Sequence, residues 1–479
     1  MSKSSGYDAA VVGSGPNGLC AAVFLAQRGY RVIVYEAADI IGGGARTLPL
    51  TLPGFRHDVC SAIHPMAVGS PFLPSLPLEQ YGLHWIHPEV PLAHPMGSGR
   101  TVLLHRSVPE TVASIGPGGE AYGRLMSWLA GRWSELSSDA MGPLGIPANP
   151  LLLSSFGLRG LQSATQFAHR YFPDEEGRAF FAGLAAHSLL PMESRPSAAI
   201  GLMLAAAGHR VGWPFPKGGA QAISDALAAH FRSLGGVIQT GKEVQSLGDV
   251  ETDGPVLFEV APANLARICK DALPERYLRK LRGFQQGPGV FKVDWALDAP
   301  IPWRDPECLR AGTIHLGSTF DEIARSERAV NQGERVDRPY VLLAQHSLFD
   351  DTRAPKEKHT AWAYCHVPNG DSTDMSEEIE NQIERFAPGF RDRILGKNLM
   401  NCAAFESYNA NYIGGDTVGG ANTLQQTFFR PAPRLNPYTT PNDRVFLCSA
   451  STPPGGGVHG MCGVHAARAV IRRGSPGRD

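Results

Sequence analysis

Apolar positions outline the chain before any motif is considered. "YDAAVV" is a short apolar run closed by glycine, which suits a buried parallel strand. "NGLCAAVFLAQRG" follows with Leu19, Ala22, Val23 and Ala26 at helical spacing, and "YRVIVYEA" reads as a second strand. From Gly119 to Leu136, residues Tyr122, Leu125, Met126, Leu129, Trp133 and Leu136 predict a helix, and further helical stretches run to about Gly208. "GGAQAISDALAAHFRSLGG" predicts an amphipathic helix with Ile223, Leu227, Phe231 and Leu234 on one face. "GPGVFKVDWALDAPIPW" alternates Val290, Lys292 and Asp294 against Phe291, Val293 and Trp295, a strand with Lys292 and Asp294 on one polar face, for which a buried lysine and a solvated face are the two readings. Arg444 to Ala450 predicts a strand and His465 to Arg472 a helix. Between Arg46 and about Leu104 the chain is rich in proline and reads as irregular.

The first strand, helix and strand enclose a motif. Gly13, Gly15 and Gly18 make G-x-G-x-x-G, with Pro16 and Asn17 inside the loop. The first glycine permits the tight turn, the second a close approach of backbone to a diphosphate, the third close packing of helix on strand. Glu36, followed by Ala37, ends the second strand where a carboxylate can accept from ribose hydroxyls. The helix N-terminus favours the phosphates through its free N–H groups and its dipole. These parts together predict a nucleotide site.

A second glycine cluster, "AADIIGGGARTLPL", follows Glu36. It resembles the Gly-Gly motif of the FAD family that includes flavin amine oxidases and phytoene desaturases. The resemblance continues through "LPGFRHDVCSAIHP", "GWPFPKGGAQAISDALAAHF", "HTAWAYCHVP", "QIERFAPGFRDRIL" and "CSASTPPGGGVHGMCG", from one end of the chain to the other. The nearest group is the phytoene desaturase-like branch, which includes phytoene dehydrogenase-related and pyridine nucleotide-disulfide oxidoreductase-domain proteins.

The resemblance implies one non-covalent FAD. It places Gly42, Gly43, Gly44 and Arg46 beside the cofactor, and Val244 against the adenine. It also implies a C-terminal strand-loop-helix, with Ser449, Gly457, Val458, His459 and Met461, closing over the flavin. Ser449-Ala450 stands where many members carry Gly-Asp or Gly-Ala, so this chain has no acid at that strand end to contact the ribityl or phosphate region. The implied fold is α/β. A Rossmann-like FAD-binding domain of the Gly-Gly type (1–75, 215–285 and 435–479) interleaves with a substrate domain of mixed β-sheet and helical cap (76–214 and 286–434). After "VIQTGKEVQSL" the chain passes quickly to "VLFEVAP", where family members often carry a longer hairpin, so the FAD domain is trimmed there.

Composition narrows the class. The chain has 479 residues, 43% hydrophobic and 19% charged, and a net charge of −1, which excludes a nucleic-acid partner as the expectation. No apolar run is long enough to span a bilayer. The opening "MSKSSGYDAA" lacks the apolar core of a signal peptide. Eight cysteines are scattered without C-x-x-C or metal-ligand spacing, which points to the cytoplasm and away from thiol-disulfide reduction and metal binding.

By resemblance Lys292 matches the amine oxidase lysine that reaches, through water, toward flavin N5. His57, His64 and His459 are further catalytic candidates, since they follow the Gly-Gly segment or lie in the flavin-closing loop. The expected activity is FAD-dependent hydride removal from a small, largely apolar, isoprenoid- or carotenoid-like substrate, with oxygen or a quinone as electron acceptor. An amine oxidase using Lys292 is the alternative within catalysis, and an FAD-containing binding or regulatory protein the alternative outside it. "NPLLLSSFGLRGLQSATQFAHRYF", with Leu151 to Leu153, Phe156, Leu158 and Leu161 beside Arg159 and Arg170, is the stretch for a cavity wall or homo-oligomer interface, with peripheral membrane contact as the other reading.

Overall fold

A computed structural model describes residues 6–143 and 145–474. Two sheets organise it. The first has five parallel strands in the order Val445–Leu447, Val256–Phe258, Ala9–Val12, Val32–Tyr35 and Val237–Gln239. Ala9–Val12 lies at its centre, with Val12 level with both Tyr35 and Phe258. All four residues of this strand are buried, which explains its continuous rather than alternating apolar pattern.

The helix Pro16–Ala26 returns from this strand and is buried throughout. Gly15 is its N-cap and Pro16 supplies the pre-set φ of the first turn. The helix Met461–Gly474 crosses it closely: a β-carbon at Gly463 would lie 1.8 Å from the Asn17 carbonyl oxygen.

The second sheet has seven strands, in the order Ile394–Met400, Gly289–Leu297, His359–Val367, Val341–Ala344, Ala311–Leu316, Val90–Pro95 and Thr101–Leu104. Its pairings are antiparallel except for Ala311–Leu316 with Val90–Pro95. The last two strands correct the irregular reading of 47–104. Pro91 and Pro95 conceal the first of them in the pattern, because proline has no N–H for the ladder and reads as a strand breaker. On the polar face of Gly289–Leu297 the solvated reading fails: Lys292 and Asp294 are buried.

Helices Glu120–Gly131, Trp133–Ala140, Pro150–Gly160, Ala164–Tyr171, Glu175–Ala186 and Ala198–Val211 form the cap. The single helix predicted over Gly119–Leu136 is two helices, broken at Arg132. On the helix Gln221–Ser233, Ile223, Leu227 and Phe231 are buried as the pattern predicts, while Leu234 lies past its end and is exposed. All eight cysteines are free thiols. Among the described residues no helix is long and apolar enough to cross a membrane.

Candidate dinucleotide and substrate site

The carboxyl ends of the central parallel strands open onto one cavity of about 760 Å³, within the size range of ligand clefts. Gly13, Gly15, Pro16, Asn17, Glu36, Ala37 and Val244 line one end of it. Gly43, Gly44, Arg46, Ser449, Gly457 and Val458 line it as well. Lys292, His64 and Trp362 line the far part, with apolar walls from Met203, Leu204 and Leu342. Gly18, His57, His459 and Met461 are not on its surface.

The glycine loop owes its shape to contacts that side chains would forbid. Gly13 has φ +104° and donates its N–H to the Tyr35 carbonyl at 2.8 Å, locking the turn onto the second strand. A β-carbon at Gly18 would lie 2.2 Å from the Gly13 carbonyl oxygen, so this glycine sets helix-to-strand packing.

Glu36 is held by its neighbours. Its Oε2 accepts from the Ser14 N–H at 3.1 Å and the Ser14 hydroxyl at 2.5 Å, and its Oε1 from the Ala38 N–H at 3.0 Å. Arg46 Nη2 lies 3.3 Å from the same Oε1 and donates to the Ile40 carbonyl at 2.7 Å, while its Nε donates to the Ile41 carbonyl at 3.1 Å. Arg46 therefore ties the second glycine cluster to the end of the second strand while one edge of it faces the cavity. Tyr408 fastens the same cluster by donating its hydroxyl to the Gly43 carbonyl at 2.8 Å.

The loop fits a diphosphate. The Asn17 N–H, at the start of the helix, already holds a carboxyl group: it donates to Glu259 Oε1 at 3.0 Å. That carboxyl stands for the phosphate oxygens a helix N-terminus accepts. Glu259 Oε2 and Asn17 Oδ1 are shielded from solvent and have no hydrogen-bond partner, so polar capacity is left for a ligand in this place. The residues present thus fit a dinucleotide.

At the far part Lys292 Nζ donates to Asp294 Oδ2 at 2.5 Å, both side chains being buried. Burial raises the Asp294 carboxyl above its ordinary range, against the pull of the Lys292 ammonium. His57 lies behind this pair, Nδ1 3.7 Å from Asp294 Oδ1, with Nε2 bonded to the Thr51 hydroxyl at 2.8 Å. Burial, reinforced by the Lys292 charge, holds the His57 imidazole down to about 3, so it is neutral. His57 is therefore off the cavity surface, next to the Asp294 partner of Lys292. His64 faces the cavity itself, and burial holds it down to about 4. His459 is turned into its own loop: its ring bonds the Gly455 carbonyl at 3.1 Å and the Met461 N–H at 3.0 Å, and so shapes the start of the last helix.

Two features escaped the sequence reading. Glu259, at the carboxyl end of a parallel strand, had one available signal: ligands gather at such strand ends. A buried network of Asp58, Arg353 and Asp350 had none. Arg353 donates to Asp58 at 2.7 Å and to Asp350 at 3.1 Å, joining segments 295 residues apart. The membrane-contact segment also needs a correction in detail. On helix Pro150–Gly160, Leu151 and Leu158 are exposed, but Leu152 is buried and belongs to the core.

Comparison with known proteins agrees with this geometry. The NAD(P)-binding Rossmann-like domain family matches residues 11–71. A pyridine nucleotide-disulfide oxidoreductase domain-containing protein 2 of Rattus norvegicus is 25% identical, covering 97% of this chain and 93% of that protein. A neurosporene-forming phytoene desaturase of Rhodobacter capsulatus is also 25% identical, covering 95% of this chain and 92% of its own. Among solved structures, an oxidoreductase of Methanosarcina mazei superposes with a TM-score of 0.64 at 17% identity over 97% of this chain and 99% of that one. Putrescine oxidase bound to putrescine gives 0.62 at 18% identity, over 97% and 98% of the two chains. The resemblance read from the motifs therefore holds along the whole chain: its relatives are oxidoreductases of the phytoene and carotenoid desaturase type, and its fold is one shared with amine oxidases.

Proposed function

We propose that the chain is an FAD-dependent oxidoreductase that removes hydride from a largely apolar, isoprenoid- or carotenoid-like substrate. The observation that carries this is the continuity of one cavity from the glycine loop and Glu36 to the apolar walls at Met203, Leu204, Leu342 and Trp362. The residues to hold a non-covalent FAD are the Gly13–Asn17 loop and Glu36 at its nucleotide end. Gly43, Gly44, Arg46, Ser449, Gly457 and Val458 line the same cavity. FAD supplies the redox step when bound, and the protein supplies orientation and exclusion of water.

Lys292 is the cationic group on the substrate side. Its bond to Asp294 fixes the ammonium at the cavity wall, where it can hold a proton or an ordered water next to the reacting atoms. The apolar walls select substrate by excluding water rather than by pairing charge, which favours a hydrocarbon over an amine. A substrate of this kind comes from a lipid surface. Leu151 and Leu158 on the cap, together with Ile146, supply the exposed apolar residues for contact with it.

The test is anaerobic photoreduction of the purified holoprotein, followed by mixing with oxygen or a quinone. Reduction and prompt reoxidation are expected of an enzyme. A bound flavin that neither reduces nor reoxidises contradicts the proposal.

A further inference from the structure

Glu259 ends the strand Val256–Phe258 and turns its carboxyl group into the glycine loop. Besides the 3.0 Å bond from the Asn17 N–H, the carboxyl fills the space the glycines leave open. A β-carbon at Gly15 would lie 2.6 and 2.8 Å from its two oxygens, and one at Gly18 2.5 Å from Oε2. This is where the diphosphate of a dinucleotide rests in a βαβ unit. A diphosphate can enter only if this side chain turns aside, and the displaced carboxyl then stands beside it, where a second anion in a buried site repels strongly.

We propose that Glu259 takes part in cofactor binding as a neutral carboxylic acid that donates its proton to a diphosphate oxygen, so that binding of FAD at alkaline pH takes up one proton. The proposal rests on the FAD reading above and deepens it.

Three observations support it. First, Oε2 has no hydrogen-bond partner and is shielded from solvent, so it is free to carry and donate a proton. Second, titratable groups face the carboxyl from each element packed around it. Cys20 comes from the first helix, Glu36 from the end of the second strand, Cys448 from beyond the last strand, and Cys462 from the last helix. None of these is a cation that would hold Glu259 ionised. Third, burial pushes the carboxyl up to about 8, with Glu36 adding to the rise and the N–H groups of Gly18, Asn17 and Gly15 opposing it. A bound diphosphate raises it further, since a second anion disfavours the charged form. Proton exchange balances: the acid keeps its proton in a hydrogen bond to phosphate, and solvent supplies that proton when the free protein starts ionised.

The experiment is FAD affinity of the apoprotein by flavin fluorescence quenching, at a series of pH values from neutral to alkaline, for wild type and E259Q. Above about pH 8, wild-type affinity is expected to fall by up to about tenfold per pH unit, the slope for one coupled proton. E259Q, which keeps a neutral donor, is expected to bind with an affinity independent of pH over that range. Parallel profiles for the two proteins overturn the proposal while leaving the FAD reading intact. FAD taken up by neither protein at any pH overturns both. A second measurement needs no variant. Titration calorimetry of the wild type with FAD at alkaline pH, in two buffers of different ionisation enthalpy, is expected to show net proton uptake. Equal enthalpies in the two buffers overturn the proposal.

Discussion

Lys292 Nζ lies 2.5 Å from Asp294 Oδ2 on one face of a nine-residue strand, and both side chains are buried. A strand places residues two apart on the same side, so this pairing is fixed by backbone geometry before packing begins. The two charges hold each other in a place where either alone is costly. Asn398 from the neighbouring strand adds a bond to the same carboxyl oxygen at 3.3 Å.

The pair makes the first prediction. K292M leaves the Asp294 carboxyl buried without its cation, and stability is expected to fall by about 3 kcal/mol. D294N alone is also expected to destabilise, but K292M/D294N by less than the two losses added together. Urea unfolding of the four proteins checks this. Additive losses would show that the two side chains do not depend on each other.

The buried histidines set an acid limit. His57 is held down to about 3, and His64 and His459 to about 4, by burial. In the unfolded chain each protonates near its ordinary value of about 6.5. The unfolded state therefore binds more protons between that value and the folded ones. The stability from these neutral rings is complete above about pH 6.5 and is lost as pH falls through about 4. Glu259, raised by burial, works in the opposite sense, its contribution present in acid and lost as pH rises through about 8. Urea midpoints at neutral pH and pH 5 are expected to show a loss in wild type and a smaller loss in H64N. Equal losses would remove His64 from this account.

Liposome co-sedimentation tests the lipid route. L151D/L158D alters two exposed leucines of the cap and is expected to keep the fold and its cofactor while losing sedimentation with anionic vesicles at low salt. Wild-type protein that does not sediment with such vesicles would leave the exposed leucines to another role.

Local signals carried the nucleotide half of the site in the sequence. Gly13, Gly15 and Glu36 lie within one βαβ unit, so their spacing along the chain reports their spacing in space. The substrate half was less legible. His57 and His459 looked equivalent to His64 as lone histidines, yet only His64 reaches the cavity. What separates them is long-range packing: His57 is screened by Asp294 from a strand far along the chain, and His459 is turned inward by its own loop. The polar alternation of Lys292 and Asp294 left burial and solvent both open because an ion pair on a buried face has the same pattern as a wet one. Strand Val90–Pro95 was hidden by its prolines, which read as strand breakers.

The central claim is that the glycine loop holds FAD, and the most direct measurement is the flavin content of purified protein. Wild type is expected to release FAD on denaturation at about one equivalent per chain, as one βαβ site implies. G15V is expected to fold with an unchanged circular dichroism spectrum but to carry none, because a side chain there fills the diphosphate place. Folded wild-type protein that carries no flavin and takes up none from excess FAD would contradict the account.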